Sequence, residues 1–213
     1  NQDSDSTTVY LNDGLGGFGQ PEGMYIGYHT GDLLGVMNSP WNPVRPKDVD
    51  GDGDLDLAVI EYGYLSPEPY QITVLLNDGT GKFTGPLRSP AMETTFFPSY
   101  FVLADFRHTG RPDFLGLGMP HSAGEGDSFV YFAPSKGDGT FGRSSPLATL
   151  PGQQTILAAG DLNSDGKLDF AVAGKASGPT LTIFMGNGDG TFIAQQPIFF
   201  GDSQYIAYPY QLF

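Results

Sequence analysis

Two acidic segments of this chain have the oxygen-rich spacing of a calcium-binding loop. The first loop reads Asp-Val-Asp-Gly-Asp-Gly-Asp-Leu-Asp over residues 48–56, and the last loop reads Asp-Leu-Asn-Ser-Asp-Gly-Lys-Leu-Asp over residues 161–169. Calcium takes 6–8 oxygen ligands, so oxygen-bearing side chains at alternate positions suit it. A glycine at the sixth position permits the sharp turn that wraps the loop around an ion. The spacing therefore predicts two Ca2+ sites.

The predicted metal residues occupy the odd-numbered positions of each loop. In the first loop they are Asp48, Asp50, Asp52, Asp54 and Asp56. In the last loop they are Asp161, Asn163, Asp165, Lys167 and Asp169. The alternative is that both segments are solvated acidic turns that bind no metal.

The residues that follow each loop favour strands over the helix of an EF-hand. An EF-hand loop carries a bidentate Glu at its twelfth position and continues into a helix. Here the twelfth position is Val59 in the first loop and Val172 in the last. The apolar runs 55–60 and 168–173 are too short for helices and are rich in large and branched residues, which is typical of strands.

A middle loop over residues 105–113 keeps the pattern but not the ligands. It reads Asp-Phe-Arg-His-Thr-Gly-Arg-Pro-Asp, with Arg107 where the second carboxylate belongs. A guanidinium at that position would pair with Asp105 and Asp113 and replace the metal. We therefore predict that the middle loop binds no calcium. Because Thr109 still offers an oxygen, an altered site is the alternative.

The composition narrows the classes of partner. The formal net charge of −14 disfavours nucleic acid and anionic membranes, which both attract basic surfaces. No cysteine is present, so there is neither a disulfide framework nor thiolate chemistry. No run of apolar residues is long enough to predict insertion into a membrane.

The motifs of common enzymes are absent or fail their context. The segment 14–19 matches G-x-G-x-x-G, but Gln-Pro-Glu-Gly follows it where a dinucleotide site needs a helix. There is no P-loop, no G-x-S-x-G and no H-E-x-x-H. We predict no catalytic residue, and whether the chain is an enzyme stays open, with a non-enzyme favoured.

An internal repeat organises the chain. Four glycine-rich turns end in Phe18, Phe83, Phe141 and Phe192, and an alternating strand precedes each turn. Asn and Gly tolerate the positive φ that such turns need, and the Phe is expected to return an apolar anchor to the next strand. A period of roughly 50–60 residues, with about four strands in each unit, is typical of a β-propeller.

The repeat unit resembles the FG-GAP/VCBS repeat of integrin α-chain propellers and many bacterial secreted proteins. The last loop and the turn Gly-Asn-Gly-Asp-Gly-Thr-Phe over residues 186–192 carry the resemblance. It implies an all-β fold, a β-propeller or part of one, built from about four-stranded antiparallel blades with calcium loops. It also implies a secreted or cell-surface location.

The resemblance covers nearly the whole chain as one propeller region. We expect a partial blade over 1–23, blades over about 24–86, 87–143 and 144–194, and a second partial blade over 195–213. The sequence starts just before a third strand and stops after an inner strand. One interpretation is that the chain is a piece of a larger propeller. The alternative is that its two ends meet and close a small ring, or that they complete blades in another copy of the chain.

Long aromatic loops are the predicted ligand-binding elements, because aromatic rings stack on sugars and nearby acids accept bonds from sugar hydroxyls. The candidate residues are Tyr25, Tyr28, Trp41, Tyr62, Tyr64 and Tyr70. Packing between blades is the alternative role for these side chains. The sequence favours a calcium-stabilised, non-catalytic recognition module that binds a glycan or an extracellular protein. The alternatives are a structural subunit of an extracellular assembly, and a polysaccharide-degrading enzyme or its accessory domain.

Overall fold

The structure, a computed structural model, describes residues 6–10, 15, 17–18, 22–25, 44–61, 70–90, 92, 97–119, 126–175 and 178–201. The chain divides into two compact units. Unit 1 comprises Asn1–Thr94, Gly110–Phe114 and Ala133–Ser145. Unit 2 comprises Thr95–Thr109, Leu115–Phe132 and Pro146–Phe213.

The described residues form strands and turns, with no helix among them. The first six strands are β1 (Ser6–Val9), β2 (Glu22–Tyr25), β3 (Arg45–Lys47), β4 (Asp56–Glu61), β5 (Gln71–Asn77) and β6 (Phe83–Arg88). The next four are β7 (Phe97–Ala104), β8 (Asp113–Met119), β9 (Ser128–Ala133) and β10 (Ser145–Leu150). The last five are β11 (Gln153–Gly160), β12 (Asp169–Lys175), β13 (Pro179–Gly186), β14 (Phe192–Ala194) and β15 (Ile198–Phe199).

Three four-stranded sheets of consecutive strands dominate the fold. Their strand orders are β3-β4-β5-β6, β7-β8-β9-β10 and β11-β12-β13-β14, and β15 also pairs with β13. Strands β1 and β2 form a separate two-stranded antiparallel sheet. Each four-stranded sheet has the up-and-down connectivity of a propeller blade. The predicted all-β class and four-stranded antiparallel blades are thus confirmed.

The register shows why each blade has two distinct faces. In the β11–β14 sheet Phe170 pairs with Phe184 and Val172 with Thr182, while Ala171 pairs with Ile183 and Ala173 with Leu181. Directly opposed residues share a face and successive residues alternate. The first set therefore lies on one face of the sheet and the second set on the other.

An aromatic cluster forms the core of unit 2. The stacked rings of Phe170 and Phe184 have centroids 4.4 Å apart, and Phe192 meets Phe170 edge-on at 4.9 Å. Phe192 also meets Phe132 and Phe106 edge-on, at 6.2 and 5.5 Å. Stacked and edge-to-face rings at such distances contribute about 0.5–1.5 kcal/mol per pair beyond the area that they bury.

The predicted Phe anchors do not behave alike. Phe141 is completely buried and its ring meets Phe114, with centroids 6.2 Å apart. Phe18, by contrast, is 66% exposed, so its predicted anchoring role is wrong in the structure. The two strands described in this part of the chain are β1 and β2.

Candidate metal sites

The first loop connects β3 to β4, and its own backbone holds its carboxylates in place. The two carboxylate oxygens of Asp48 accept the Gly51 and Gly53 N–H groups at 2.6 and 3.2 Å. Asp50 accepts the Asp52 N–H at 3.2 Å, and Asp52 accepts the Asp54 N–H at 2.9 Å. These bonds fix the carboxylates before any ion is added, which lowers the entropy cost of binding one.

The residue at the ninth position, Asp56, stabilises the first loop through hydrogen bonds to the backbone. It is completely buried, and its Oδ2 accepts the Val49 N–H at 2.8 Å while its Oδ1 accepts the Asn77 N–H at 2.9 Å. Burial raises the pKa of Asp56 above its ordinary value of 3.8, and the two N–H donors oppose that shift. The charges of Asp50 and Asp52 raise the pKa further. A cation would relieve this repulsion.

The donor set of the first loop fits a hard cation. Ligand atoms of Asp48, Asp50 and Asp56 lie within 4.8 Å of one another, which no other trio of acidic side chains in the described ranges matches. Two oxygens bound to one Ca2+ at 2.3–2.6 Å can be at most about 5 Å apart. The three carboxylates can therefore share an ion with little rearrangement.

The last loop, between β11 and β12, has a similar set of hydrogen bonds, although its first Asp accepts from the fifth and sixth positions rather than the fourth and sixth. Asp161 accepts the Asp165 and Gly166 N–H groups at 3.2 and 2.9 Å. Asp169 accepts the Leu162 N–H at 2.9 Å and the Gly186 N–H at 2.8 Å. The oxygen ligands of the last loop carry less negative charge than those of the first loop, because the amide of Asn163 replaces one carboxylate.

Within the last loop, Asp165 is held by two neighbours. The Lys167 N–H, 2.8 Å away, is the largest cause of the lowered pKa of Asp165, and the Asn163 side chain adds to it from 3.1 Å. Asp165 is fully exposed, so water screens these interactions. An exposed carboxylate that stays ionised remains available as an oxygen ligand.

All three loops share backbone features that a metal does not explain. The fourth position has positive φ in each: 81° at Gly51, 54° at His108 and 63° at Ser164. The sixth position also has positive φ: 100° at Gly53, 76° at Gly110 and 83° at Gly166. Positive φ is uncommon for residues other than glycine, so His108 and Ser164 carry a conformational cost.

The ninth-position Asp ties each loop to the glycine-rich turn of its own blade. Asp113 of the middle loop accepts the Ser135 N–H at 2.9 Å, as Asp56 accepts Asn77 and Asp169 accepts Gly186. This contact is independent of the ligand set, because the middle loop retains it. The ninth-position carboxylate therefore has a structural role in all three blades.

The seventh-position side chain lies over the same turn. A Cβ on Gly79 would lie 2.5 Å from Asp54 Oδ2, and one on Gly188 would lie 3.4 Å from the Lys167 Cδ. In the middle blade, Arg111 donates to the Gly137 carbonyl at 2.9 Å. The side chains of Asp54 and Lys167 thus lie beside the turns of their own blades.

The middle loop holds itself together with different bonds. Asp105 accepts the Thr109 N–H at 2.8 Å and the Thr109 hydroxyl at 3.3 Å. The methylene stem of Arg107 lies against Gly190, where an added Cβ would be 3.2 Å from its Cδ. The hydroxyl that could have served as a ligand is engaged with Asp105, and the ion pair predicted for Arg107 stays a prediction.

Comparison with known proteins identifies the repeat. A family model described as the FG-GAP-like repeat matches residues 48–116, which run from the start of the first loop into β8. This chain contains an FG-GAP-like repeat. A search of curated proteins found no match.

A solved structure shares the fold of this chain. It is that of an Agrocybe aegerita lectin, described as the structural basis of specific recognition of non-reducing terminal N-acetylglucosamine. The match has a TM-score of 0.58 and 20% sequence identity, and it covers 90% of this chain and 46% of the lectin chain. This chain thus spans less than half the length of that lectin.

Most of the predicted ligand-binding aromatic residues lie outside the described residues. These are Tyr28, Trp41, Tyr62 and Tyr64. Tyr25 is the last residue of β2. Tyr70 is 3% exposed, and its carbonyl accepts the Met92 N–H at 2.6 Å, so its ring is not presented to solvent.

No helix in the described ranges could cross a membrane.

Sequence reasoning missed the fourth position of the three loops. The one available signal was Gly51, a second glycine in the first loop, because glycine adopts positive φ without strain. The equivalent residues of the other loops, His108 and Ser164, do not indicate from their type that this position needs a positive φ. Only the structure shows that all three loops bend at the same two places.

Proposed function

We propose that this chain is a non-catalytic recognition module whose blades are stabilised by calcium in the first and last loops and whose ligand is a glycan. The fold that it shares with an N-acetylglucosamine-recognising lectin is the observation that carries the glycan proposal. The acidic net charge agrees with it, because uncharged sugars need no basic surface. A secreted or cell-surface location belongs to the same proposal.

The residues that would hold calcium are those whose oxygens the loops already present. In the first loop these are the side chains of Asp48, Asp50, Asp52 and Asp56, with the backbone of Asp54. In the last loop they are the side chains of Asp161, Asn163, Asp165 and Asp169, with the backbone of Lys167. Bound calcium would neutralise these carboxylates. Asp48 and Asp161 also hold the backbone of their loops in place, because each accepts hydrogen bonds from two backbone N–H groups.

A glycan array tests the recognition proposal directly. The purified chain is applied to a broad set of immobilised glycans that includes non-reducing terminal N-acetylglucosamine, once with millimolar calcium and once with a chelator. We expect binding to a defined class of sugar that weakens in chelator. Asp50→Ala should weaken binding in calcium as the chelator does, if calcium in the first loop supports the binding loops.

The matched control is Asp105→Ala in the middle loop. This loop is predicted to hold no calcium, so the variant should retain the calcium response of the original chain. A folded, calcium-loaded sample that binds no glycan would overturn the glycan proposal and shift the search to extracellular protein ligands. Binding that is unchanged by chelator would overturn the calcium part alone.

A further inference from the structure

Arg111, the seventh residue of the middle loop, contacts two other segments of unit 1. Its guanidinium donates to the carbonyl of Gly137, in the glycine-rich turn of its own blade, at 2.9 Å. The same guanidinium lies against Gly51 of the first loop, where an added Cβ would be 2.7 Å from the Arg111 Nε and 2.8 Å from its Cζ. Arg111 therefore joins the first loop to the blade that follows it.

Gly51 belongs to the hydrogen-bond network that holds a predicted calcium ligand. Its N–H donates to Asp48 Oδ1 at 2.6 Å, and the other oxygen of that carboxylate accepts the Gly53 N–H. Gly51 has a φ of 81° and no side chain, so the guanidinium can approach the backbone closely. A planar guanidinium fixed by the Gly137 carbonyl can thus restrict movement of the bend that positions Asp48.

A related contact occurs in unit 2, between the middle loop and the turn of the β11–β14 sheet. A Cβ added to Gly188 of that turn would lie 3.2 Å from the Cδ2 of His108 and 3.4 Å from the Cδ of Lys167. His108 is the fourth residue of the middle loop, and Lys167 is the seventh residue of the last loop. The fourth position of a loop therefore lies beside the following blade in both units. Of the two loops concerned, the first loop is the one predicted to bind calcium.

We propose that Arg111 is a positioning residue for the calcium site of the first loop. This inference rests on the proposed binding of calcium to that loop. A loop that is already held in shape loses less conformational entropy when it binds an ion. A cation beside the loop would by itself repel Ca2+, so a purely electrostatic role predicts tighter binding once Arg111 is removed. A positioning role predicts weaker binding.

Calorimetric titration with calcium distinguishes these two roles. It is carried out in the Asp165→Ala background, so that the ion of the first loop is measured without that of the last loop. Arg111→Met removes the charge and the bond to Gly137 but keeps a long side chain, and we expect it to weaken calcium binding about three- to tenfold. Arg111→Lys keeps the charge without the planar fork and should also weaken binding. Unchanged or tighter binding in Arg111→Met would overturn the proposal.

The matched control is Lys136→Met, which removes an exposed cation next to Gly137 in the same turn. It should not weaken calcium binding, and a loss equal to that of Arg111→Met would also overturn the positioning role. Circular dichroism should show all variants folded. If Arg111→Met unfolds, Arg111→Lys replaces it and the same weakening is required.

The NMR order parameter of the Gly51 N–H in the metal-free chain tests the role of Arg111 without calcium. We expect a lower value at Gly51 in Arg111→Met than in the original chain, with Gly166 of the last loop unchanged. If the original chain binds no calcium, the proposed calcium function fails, and the calcium part of this inference fails with it. An unchanged order parameter at Gly51 would instead show that Arg111 does not hold the first loop, whether or not calcium binds.

Discussion

The first and middle loops have the same shape and different chemistry. Both connect the first two strands of a blade, both have positive φ at the fourth and sixth positions, and both end in a completely buried Asp that bonds to the turn of the same blade. They differ at the third position, where Asp50 stands in the first loop and Arg107 in the middle loop. In the first loop three carboxylates lie within 4.8 Å of one another, whereas in the middle loop Asp105 is bonded to Thr109.

The comparison separates what shapes the loop from what would bind an ion. Positive φ at two positions and a buried ninth-position carboxylate recur in all three loops, so they define the shape. The side-chain oxygens at the third and fifth positions vary, so we expect them to decide whether an ion can be held. We therefore expect a loop of this kind to keep its shape whether or not it binds a metal.

The largest expected effect comes from the shape residues. Asp56→Ala leaves the Val49 and Asn77 N–H groups without an acceptor, and each unsatisfied buried donor costs about 1–3 kcal/mol. We expect a loss of about 2–6 kcal/mol in the free energy of unfolding, measured with urea in the presence of chelator. The exposed Asp52 serves as the control, since Asp52→Ala should change stability by less than about 1 kcal/mol under those conditions. Equal losses for Asp56→Ala and Asp52→Ala would contradict the division of roles.

Asp113→Ala sharpens the same point in the middle loop. Asp113 is completely buried and accepts the Ser135 N–H, so its loss should cost about 1–3 kcal/mol. It should leave the number of bound calcium ions unchanged, as measured by calorimetric titration. A lost ion in this variant would show that the middle loop binds metal after all.

The next largest effect is that of calcium on stability. An ion at one hundred times its dissociation constant adds about 2.7 kcal/mol per site when it binds only the folded chain. Asp50→Ala should abolish the contribution of the first loop and leave that of the last loop. Thermal unfolding with and without chelator measures both. A melting temperature that does not respond to chelator would exclude a stabilising metal.

Restoring an oxygen ligand to the middle loop tests the comparison in the opposite direction. Because the backbone of this loop already has the shared shape, Arg107→Asp should add one bound calcium ion. Arg107→Ala removes the same charge without adding an oxygen, so it should add none. If neither variant gains an ion in calorimetric titration, the third position does not control binding.

The smallest effect concerns pH in the absence of calcium. The folded pKa of Asp56 is raised, so this residue stabilises the fold below its unfolded pKa of about 3.8 and loses that effect as pH rises through its folded pKa. Asp138 has a lowered pKa, first because the Thr140 hydroxyl donates to it at 2.6 Å. Its contribution is present above about 3.8 and is lost as pH falls through its folded pKa. Carboxyl-carbon NMR should therefore find Asp56 titrating at higher pH than Asp138, and the reverse order would refute both assignments.

Local pattern sufficed for the sheets but not for the packing. Alternating apolar residues and glycine-rich turns located β5, β9 and β13, and the loop spacing located the candidate ligands. The exposure of Phe18 and the burial of Tyr70 depend on which sheets surround them, and no local pattern encodes that. The positive φ of His108 and Ser164 could not be predicted, because neither residue type indicates a left-handed backbone conformation.

The number of calcium ions bound by the intact chain tests the central claim most directly. Calorimetric titration of the metal-free chain should find two ions, with one lost in Asp50→Ala and the other in Asp165→Ala. That result would assign one ion to each oxygen-rich loop and none to the middle loop. No binding, or a third ion in the unaltered chain, would contradict the claim that the third-position oxygen separates loops that hold calcium from a loop that only keeps their shape.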